Sequence, residues 1–145
     1  MKIQMKTVES DYNEDTGIST VKLSTDIGIF EGYAKLHPED KDIASRFAGC
    51  RYAEMRAGIK YMRAKARETK QVLDSLTKIY KNLKQMNSFD KNFKGVKLFE
   101  KEIYLLEDEV ETFKNNAKTL KERLDKAINT RPDIIKEIHN RNQDK

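Results

Sequence analysis

The feature that most constrains this chain is an apolar repeat in its C-terminal half. Between residues 99 and 127 an apolar residue recurs at alternating steps of four and three, without interruption. This repeat is typical of a coiled-coil helix, in which a narrow apolar seam faces a partner helix and the other positions face water. The residues of this seam are Phe99, Ile103, Leu106, Val110, Phe113, Ala117, Leu120, Leu124 and Ala127.

A second seam precedes it in the chain. The residues His37-Pro38-Glu39-Asp40 predict a helix start, because proline at the first helical position loses no hydrogen bond and acidic residues favour the positive end of the helix dipole. From there to about Met86 the chain contains no further proline, which favours one long helix. Its predicted apolar face consists of Met55, Ile59, Met62, Ala66, Thr69, Leu73, Leu76, Tyr80 and Leu83.

The sequence around residues 87–90, Asn-Ser-Phe-Asp, is typical of a break between two helices. The two seams can bury each other in an antiparallel hairpin or pair across subunits, and the sequence does not separate these arrangements. We expect an obligate oligomer, with a dimer as the minimum, because two apolar stripes and a small sheet exceed what one hairpin covers. Beyond Pro132, the residues Ile134, Ile135 and Ile138 predict a short C-terminal helix.

The first 37 residues predict strands and turns. Three pairs of apolar residues alternate with polar ones, as half-buried strands do: Ile3 and Met5, Val21 and Leu23, and Ile27 and Ile29. Residues 13–17, Asn-Glu-Asp-Thr-Gly, and residues 25–28, Thr-Asp-Ile-Gly, have turn chemistry. A small antiparallel sheet of this size is marginal in water and therefore needs a helix or another subunit to cover it.

These patterns predict an α+β chain that is mostly α. A small N-terminal antiparallel β-hairpin or sheet (residues 1–37) is followed by a helical region (residues 38–145), with two long helices in a coiled-coil hairpin and a short C-terminal helix. We expect one compact structural unit. The content of 37% charged and 37% apolar residues fits this arrangement, because a two-stranded coil buries only about two or three positions in seven.

Composition also bears on location and on metal binding. No segment approaches the roughly 20 apolar residues that cross a bilayer, and the N-terminus lacks the apolar core of a signal peptide. A cytoplasmic protein without membrane contact is therefore expected. Cys50 is the only cysteine, so no internal disulfide can form. The two histidines, His37 and His139, lack a second soft ligand at metal-site spacing, which predicts neither a metal nor a cofactor.

The positive charge is concentrated in the first long helix. Residues 38–87 contain twelve basic and six acidic side chains, although the net charge of the whole chain is only +5. Arg56, Lys60, Arg63, Arg67 and Lys70 recur at steps of three or four and form one stripe beside the apolar seam. The planar arginine fork suits phosphate, and Arg46 and Arg51 lie near the same end. A solvated helix face is the alternative interpretation of this stripe.

Aromatic residues offer a second binding element, and catalytic motifs are missing. Phe89 and Phe93 stand with Asn92 between the predicted helices, where they can stack on a base or close the hairpin tip. The sequence contains no carboxylate pair, serine–histidine arrangement or glycine-rich phosphate loop that would indicate a reaction. It therefore favours a binding or assembly protein over an enzyme.

One resemblance points to a ligand. The strand hairpin in STVKLSTDIGIFEGYAKLHPED and the helix in AGCRYAEMRAGIKYMRAKAR resemble small proteins of phages and prophages. An N-terminal antiparallel sheet with long C-terminal helices resembles the Thoeris anti-defence sponges. This resemblance implies multimers that hold a cyclic ADP-ribose signal, or in some members a cyclic oligonucleotide, without cleaving it. The implied ligand residues are Arg51, Arg56 and Arg63 for phosphate, and Phe89 or Phe93 with Asn92 for the base.

Three functions follow in order of preference. The first is a sponge for a cyclic nucleotide signal. The second is a phage-encoded inhibitor or adaptor that binds a host defence or recombination protein through its coiled coil. The third is a nucleic-acid-binding accessory protein, which the pI near 9.2 favours but the acidic residues interleaved through the last helix oppose.

Overall fold

The computed structural model describes residues 5–35, 43–86 and 94–129. Strands β1 (Met5–Asn13), β2 (Ile18–Thr25) and β3 (Gly28–Lys35) are followed by helices α1 (Ile43–Lys84) and α2 (Lys94–Asn129). The predicted α+β class, with a small antiparallel sheet before two long helices, is confirmed. The predicted helix start at residues 37–40, the break at residues 87–90 and the short C-terminal helix at residues 134–138 lie outside the described residues.

The three strands form one antiparallel sheet in the order β1-β2-β3. In the first turn the side-chain oxygen of Asn13 accepts a hydrogen bond from the amide of Asp15 at 2.9 Å, and Gly17 has a φ of 71°, which glycine adopts without steric cost. In the second turn the hydroxyl of Thr25 donates to the carbonyl of Gly28 at 2.6 Å. Both turns predicted from the sequence are therefore confirmed.

The chain groups into two compact units. Among the described residues, the sheet unit combines residues 5–35 and 43–61 with residues 116–129, and the helical unit consists of residues 62–86 and 94–115. Each long helix contributes residues to both units. The boundary of the predicted division into residues 1–37 and 38–145 lies outside the described residues.

The core of the sheet unit is built from small side chains. Val21 and Leu23 of β2 and Ala34 of β3 are buried against Ala53 and Ala57 of α1. Both alanines have no exposed surface, and their methyl groups let the helix backbone approach the sheet closely. The sheet thus obtains the helical cover that its small size requires.

The inward face of β3 differs from the prediction at Ile29. A half-buried side chain was expected there, whereas Ile29 is 64% exposed. The strand instead turns Phe30, Gly32 and Ala34 inward, and the ring of Phe30 lies 5.9 Å from that of Tyr61 in α1. Alternation along a strand then places Ile29 on the opposite, solvent-facing side of the sheet.

Strand β1 is also less buried than expected, because each of its residues is exposed except Tyr12. The guanidinium of Arg46 lies 4.8 Å from the ring centroid of Tyr12 and 3.5 Å from a carboxylate oxygen of Glu14. These contacts hold the end of β1 at the beginning of α1. The half-buried environment predicted for Met5 is not observed, since its side chain is 44% exposed.

The predicted seam positions in both helices are all buried or half-buried. In the helical unit, the hydroxyl of Tyr80 in α1 donates to Glu100 in α2 at 2.5 Å, and the rings of Tyr80 and Phe99 lie 6.1 Å apart. In the sheet unit, the hydroxyl of Tyr52 in α1 donates to the carbonyl of Ala127 in α2 at 3.5 Å. The periodicity therefore identifies the side chains that are withdrawn from water.

Candidate functional site

A groove of about 680 Å³ opens in the sheet unit. Its volume lies within the range of roughly 300–1,000 Å³ that small-molecule sites occupy. Strands β1 and β2 and helices α1 and α2 all contribute residues to its lining. These residues are Thr7, Ser10, Val21, Phe47, Cys50, Arg51, Glu54, Met55, Leu120 and Arg123.

One wall of the groove is a single face of α1. Phe47, Arg51 and Glu54 follow one another at steps of four and three, so their side chains project from the same side of the helix. The side chain of Phe47 is 74% exposed, although aromatic rings usually bury most of their surface. An open aromatic surface therefore lies one helical turn from a guanidinium.

The opposite wall carries two hydroxyl groups on β1. Thr7 and Ser10 pair with Leu23 and Val21 of β2, respectively. Paired residues of antiparallel strands point to the same face of a sheet, so Thr7 and Ser10 lie on the inward face. Both are nevertheless exposed, because the groove separates this part of β1 from α1. Two exposed hydroxyl groups of β1 therefore line the groove.

The floor of the groove is apolar and well supported. Val21 is only 1% exposed, and Met55 and Leu120 are half-buried. The last two pack against a buried cluster whose members include Ile59 and Leu124. A ligand in the groove would therefore meet a preformed apolar surface below and polar groups at the walls, the usual composition of a small-molecule site.

The charged groups of the groove favour an anion. Arg51 and Arg123 contribute two guanidinium groups against the single carboxylate of Glu54. Within the described part of the chain, neither of these arginine side chains has a hydrogen-bond or ion-pair partner. Their donors are available to a ligand, and the planar guanidinium can bind a phosphate through two parallel hydrogen bonds.

The predicted arginines are distributed over different places. Arg51 lies in the groove. Arg56 lies at β3, where its Nη1 donates to the carbonyl oxygen of Tyr33 at 2.6 Å. Arg63 is exposed and belongs to the helical unit. Of the five stripe residues, Arg56 and Lys60 belong to the sheet unit, whereas Arg63, Arg67 and Lys70 belong to the helical unit.

The two stripe residues nearest the sheet cover a strand edge. Besides Arg56, the ammonium of Lys60 donates to the carbonyl oxygen of Glu31 at 2.7 Å. Both carbonyls belong to β3, which has a neighbouring strand on one side only. Side chains that occupy the free groups of an edge strand block pairing with another chain. This role explains two of the five stripe residues without a ligand.

The remaining predicted ligand residues, Phe89, Asn92 and Phe93, lie outside the described residues. The groove brings in residues that the sequence analysis did not select, above all Phe47 and Arg123. Phe47 precedes Arg51 by four residues, a spacing that could have indicated a shared face. Nothing local marks Arg123, because it sits among the alternating charges of a coiled-coil sequence, and only folding brings it to the groove.

Two searches of the described residues bear on other functions. No group of three or more histidine, cysteine, aspartate or glutamate side chains is placed to hold a metal ion within residues 5–35, 43–86 and 94–129. Over the same ranges, neither α1 nor α2 contains a segment apolar enough to span a bilayer.

Comparison with protein-family models, with curated proteins and with solved structures finds no match to this chain.

Proposed function

We propose that this chain is a binding protein that captures a phosphate-bearing cyclic nucleotide signal in the groove and holds it without cleaving it. The observation that carries this proposal is the meeting of two guanidinium groups, Arg51 and Arg123, with the exposed ring of Phe47 in one groove. Guanidinium groups bind phosphate, and an aromatic ring stacks on a base.

Each wall of the groove would have a separate task. The phosphates would lie between Arg51 and Arg123, and the base would stack on Phe47. The hydroxyls of Thr7 and Ser10 would bond ribose hydroxyls from the other side. Because the ligand would be held by preformed groups, binding would cost little ordering of the protein.

The biological setting of the proposal comes from the resemblance to anti-defence sponges. In that setting the protein is encoded by a phage, acts in the host cytoplasm and lowers the free concentration of a cyclic ADP-ribose isomer. Such an action is stoichiometric, since each groove removes one signal molecule. Cyclic oligonucleotides are the second ligand class, because they offer the same phosphates and bases.

The proposed architecture is an oligomer built on a helical hairpin. The two seams would pair with each other as an antiparallel coiled coil, a pairing that the contact of Tyr80 with Phe99 and Glu100 supports. The protein would be at least a dimer. The part of α2 that carries Arg123 reaches the groove beside α1, so this pairing would also hold the second arginine in place.

Calorimetry with cyclic ADP-ribose isomers and cyclic dinucleotides tests the ligand, with ATP and linear ADP-ribose as controls for general anion attraction. We expect Arg51→Ala and Arg123→Ala each to weaken binding at least about tenfold, because a charge-assisted hydrogen bond contributes roughly 1.5–3 kcal/mol. The matched control is Arg63→Ala, an exposed arginine of the same helix outside the groove, which should bind as the wild type does.

Two results would refute the groove as the capture site. One is an equal loss of affinity in all three arginine variants, combined with an equal loss of affinity for every anion as the salt concentration is raised. That result would indicate that anions are attracted by the general positive charge of the surface, which salt screens. The other is failure of every cyclic ligand to bind below about 10 μM, a free energy of roughly 7 kcal/mol. The inhibitor or adaptor hypothesis would then replace the sponge.

A further inference from the structure

The helical unit has a row of apolar side chains outside the seam. Val72, Ile79 and Met86 recur every seven residues along α1 and just past its end, and Leu98 and Leu105 have the same spacing in α2. Their exposed fractions range from 45% to 66%. A step of seven residues returns to nearly the same helix direction, so Val72 and Ile79 form a stripe along α1, and Leu98 and Leu105 form one along α2. Met86 lies two residues beyond the end of α1.

The two stripes lie on the same side of the helix pair. Each of the four helical stripe residues immediately precedes a seam residue, as Ile79 precedes Tyr80 and Leu98 precedes Phe99. The contact between Tyr80 and Phe99 places the two helices side by side in this unit. When the seams of two antiparallel helices face each other, the residues that immediately precede the seam residues lie on the same side of the pair in both helices. Val72, Ile79, Leu98 and Leu105 therefore form one apolar surface, which we call the flank.

The α1 part of the flank contains no charge. The positions that continue its three-and-four spacing between Val72 and Met86 are Ser75 and Asn82. Val72, Ser75, Ile79 and Asn82 are all exposed, in a chain of which 37% of the residues are charged. An exposed helix face normally carries charges for solubility, whereas a contiguous apolar patch marks an interaction surface.

The charges of the two helices indicate which partner binds the flank. Residues 62–84 of α1 contain seven basic and two acidic side chains, whereas residues 94–115 of α2 contain four basic and six acidic ones. Glu102 and Glu109 stand in the α2 stripe beside Leu105. Because the α1 stripe is itself uncharged, the basic side chains of α1 would border the contact and not enter it. A second copy that laid α1 on this acidic α2 would bring helices of unlike charge close together, and a two-fold axis would repeat the contact in reverse. Pairing of α2 with α2 would instead bring like charges together.

We infer that the flank is the contact between two copies of this chain, with α1 of each copy lying on α2 of the other. The result is a four-helix bundle in which basic and acidic helices alternate. This inference rests on the proposed oligomer and names its surface. It does not involve the groove, which belongs to the sheet unit.

Sedimentation equilibrium of flank variants tests the inference. Ile79→Glu places a charge in the apolar contact of both copies, and we expect the dimer dissociation constant to rise about 100-fold or more. Glu102→Lys should also weaken the dimer, because it sets a lysine against the basic helix of the partner. The matched control is Tyr104→Glu. Tyr104 is 69% exposed on α2 but lies on the other side of the seam. The dimer dissociation constant of this variant should therefore stay within about threefold of the wild-type value.

The outcomes separate the surface from the oligomer. A wild-type protein that is monomeric at tens of micromolar would overturn both the oligomer and the proposed contact between flanks. The same result is expected if the flank binds a host protein and not a second copy. A wild-type oligomer that Ile79→Glu leaves intact would overturn the flank alone. Circular dichroism checks that each variant keeps its helices, and Leu105→Gln, an uncharged change in the same surface, decides the matter if Ile79→Glu loses helicity. Ligand capture by the groove is measured separately and depends on neither result.

Discussion

Gly32 of β3 lies directly against Ala53 of α1, so closely that a Cβ atom at residue 32 would overlap the carbonyl oxygen of Ala53 and lie 2.6 Å from the amide nitrogen of Ala57. Both obstacles are backbone atoms, which cannot turn aside as a flexible side chain can. Gly32 therefore sets the distance between the sheet and α1. That distance in turn shapes the groove, because β2 and α1 both line it.

Gly32→Ala should destabilise the protein severely. We expect a loss of at least about 3 kcal/mol, because the helix must move away from the sheet to admit the methyl group. Chemical denaturation followed by circular dichroism measures this loss. Gly58→Ala is the control: its Cβ would meet only the Leu120 side chain, at 3.1 Å, and alanine favours the helix by up to about 1 kcal/mol. Equal loss in both variants would contradict the close approach at Gly32.

Tyr61→Phe should weaken the sheet unit without altering its shape. Tyr61 has no exposed surface, and its hydroxyl donates to a carboxylate oxygen of Asp26 in the β2–β3 turn at 2.7 Å. Loss of a hydrogen bond to a charged acceptor costs roughly 1.5–3 kcal/mol. Tyr104→Phe, which alters an exposed tyrosine, should change the free energy of unfolding by less than about 0.5 kcal/mol.

Phe113→Ala should be the most damaging single truncation of the α2 seam. Phe113 has no exposed surface, and removal of a buried phenylalanine side chain costs about 3–5 kcal/mol. Lys114→Ala, the exposed neighbour, should cost little. Thermal unfolding of both variants checks the difference, and similar melting temperatures would show that Phe113 is not a core residue.

Arg56→Ala should reduce stability and leave ligand capture unchanged. Its hydrogen bond to the Tyr33 carbonyl is solvent-exposed, so we expect a loss of only about 1 kcal/mol. Arg51→Ala should show the reverse pattern, with weaker capture and nearly unchanged stability. Weaker capture by Arg56→Ala at full stability would instead support the original prediction that Arg56 binds phosphate.

The Tyr33–Glu31 pair should respond to pH at both ends of the scale. A hydrogen bond from the Tyr33 hydroxyl to the Glu31 carboxylate raises the pKa of Tyr33 above 10.0 and lowers the pKa of Glu31 below 4.5. The contribution of Glu31 to stability is thus present above pH 4.5 and is lost as the pH falls through its lowered pKa. The contribution of Tyr33 is present below pH 10.0 and is lost as the pH rises through its raised pKa.

Spectrophotometric titration of the tyrosines measures this coupling, with the Tyr33→Phe difference spectrum to assign the transition. Glu31→Gln removes the negative charge and should bring the pKa of Tyr33 back toward its ordinary value. A pKa of Tyr33 that does not change in this variant would show that the hydrogen bond is absent in solution.

The sequence by itself determined which seam side chains of the long helices are buried or half-buried. Seam positions such as Val110 and Leu124 are buried because a three-and-four repeat places apolar groups along one line of any α-helix, whatever surrounds it. The turns at Asn13 and Thr25 were equally predictable, because they depend on side chains that bond to their own neighbouring backbone. These are local properties, set by spacing along the chain.

Only the tertiary structure decided which charged groups meet. Arg56 and Arg51 are alike in sequence, yet one bonds to a carbonyl of β3 and the other lies in an open groove. The groove itself exists because Gly32, Ala53 and Ala57 draw α1 onto β2 and β3, while Thr7 and Ser10 on β1 stay uncovered. Arg123 reaches the same place from α2. Contacts of this kind depend on the distance in space between elements that are far apart in the chain. The spacing of residues along the sequence does not predict that distance.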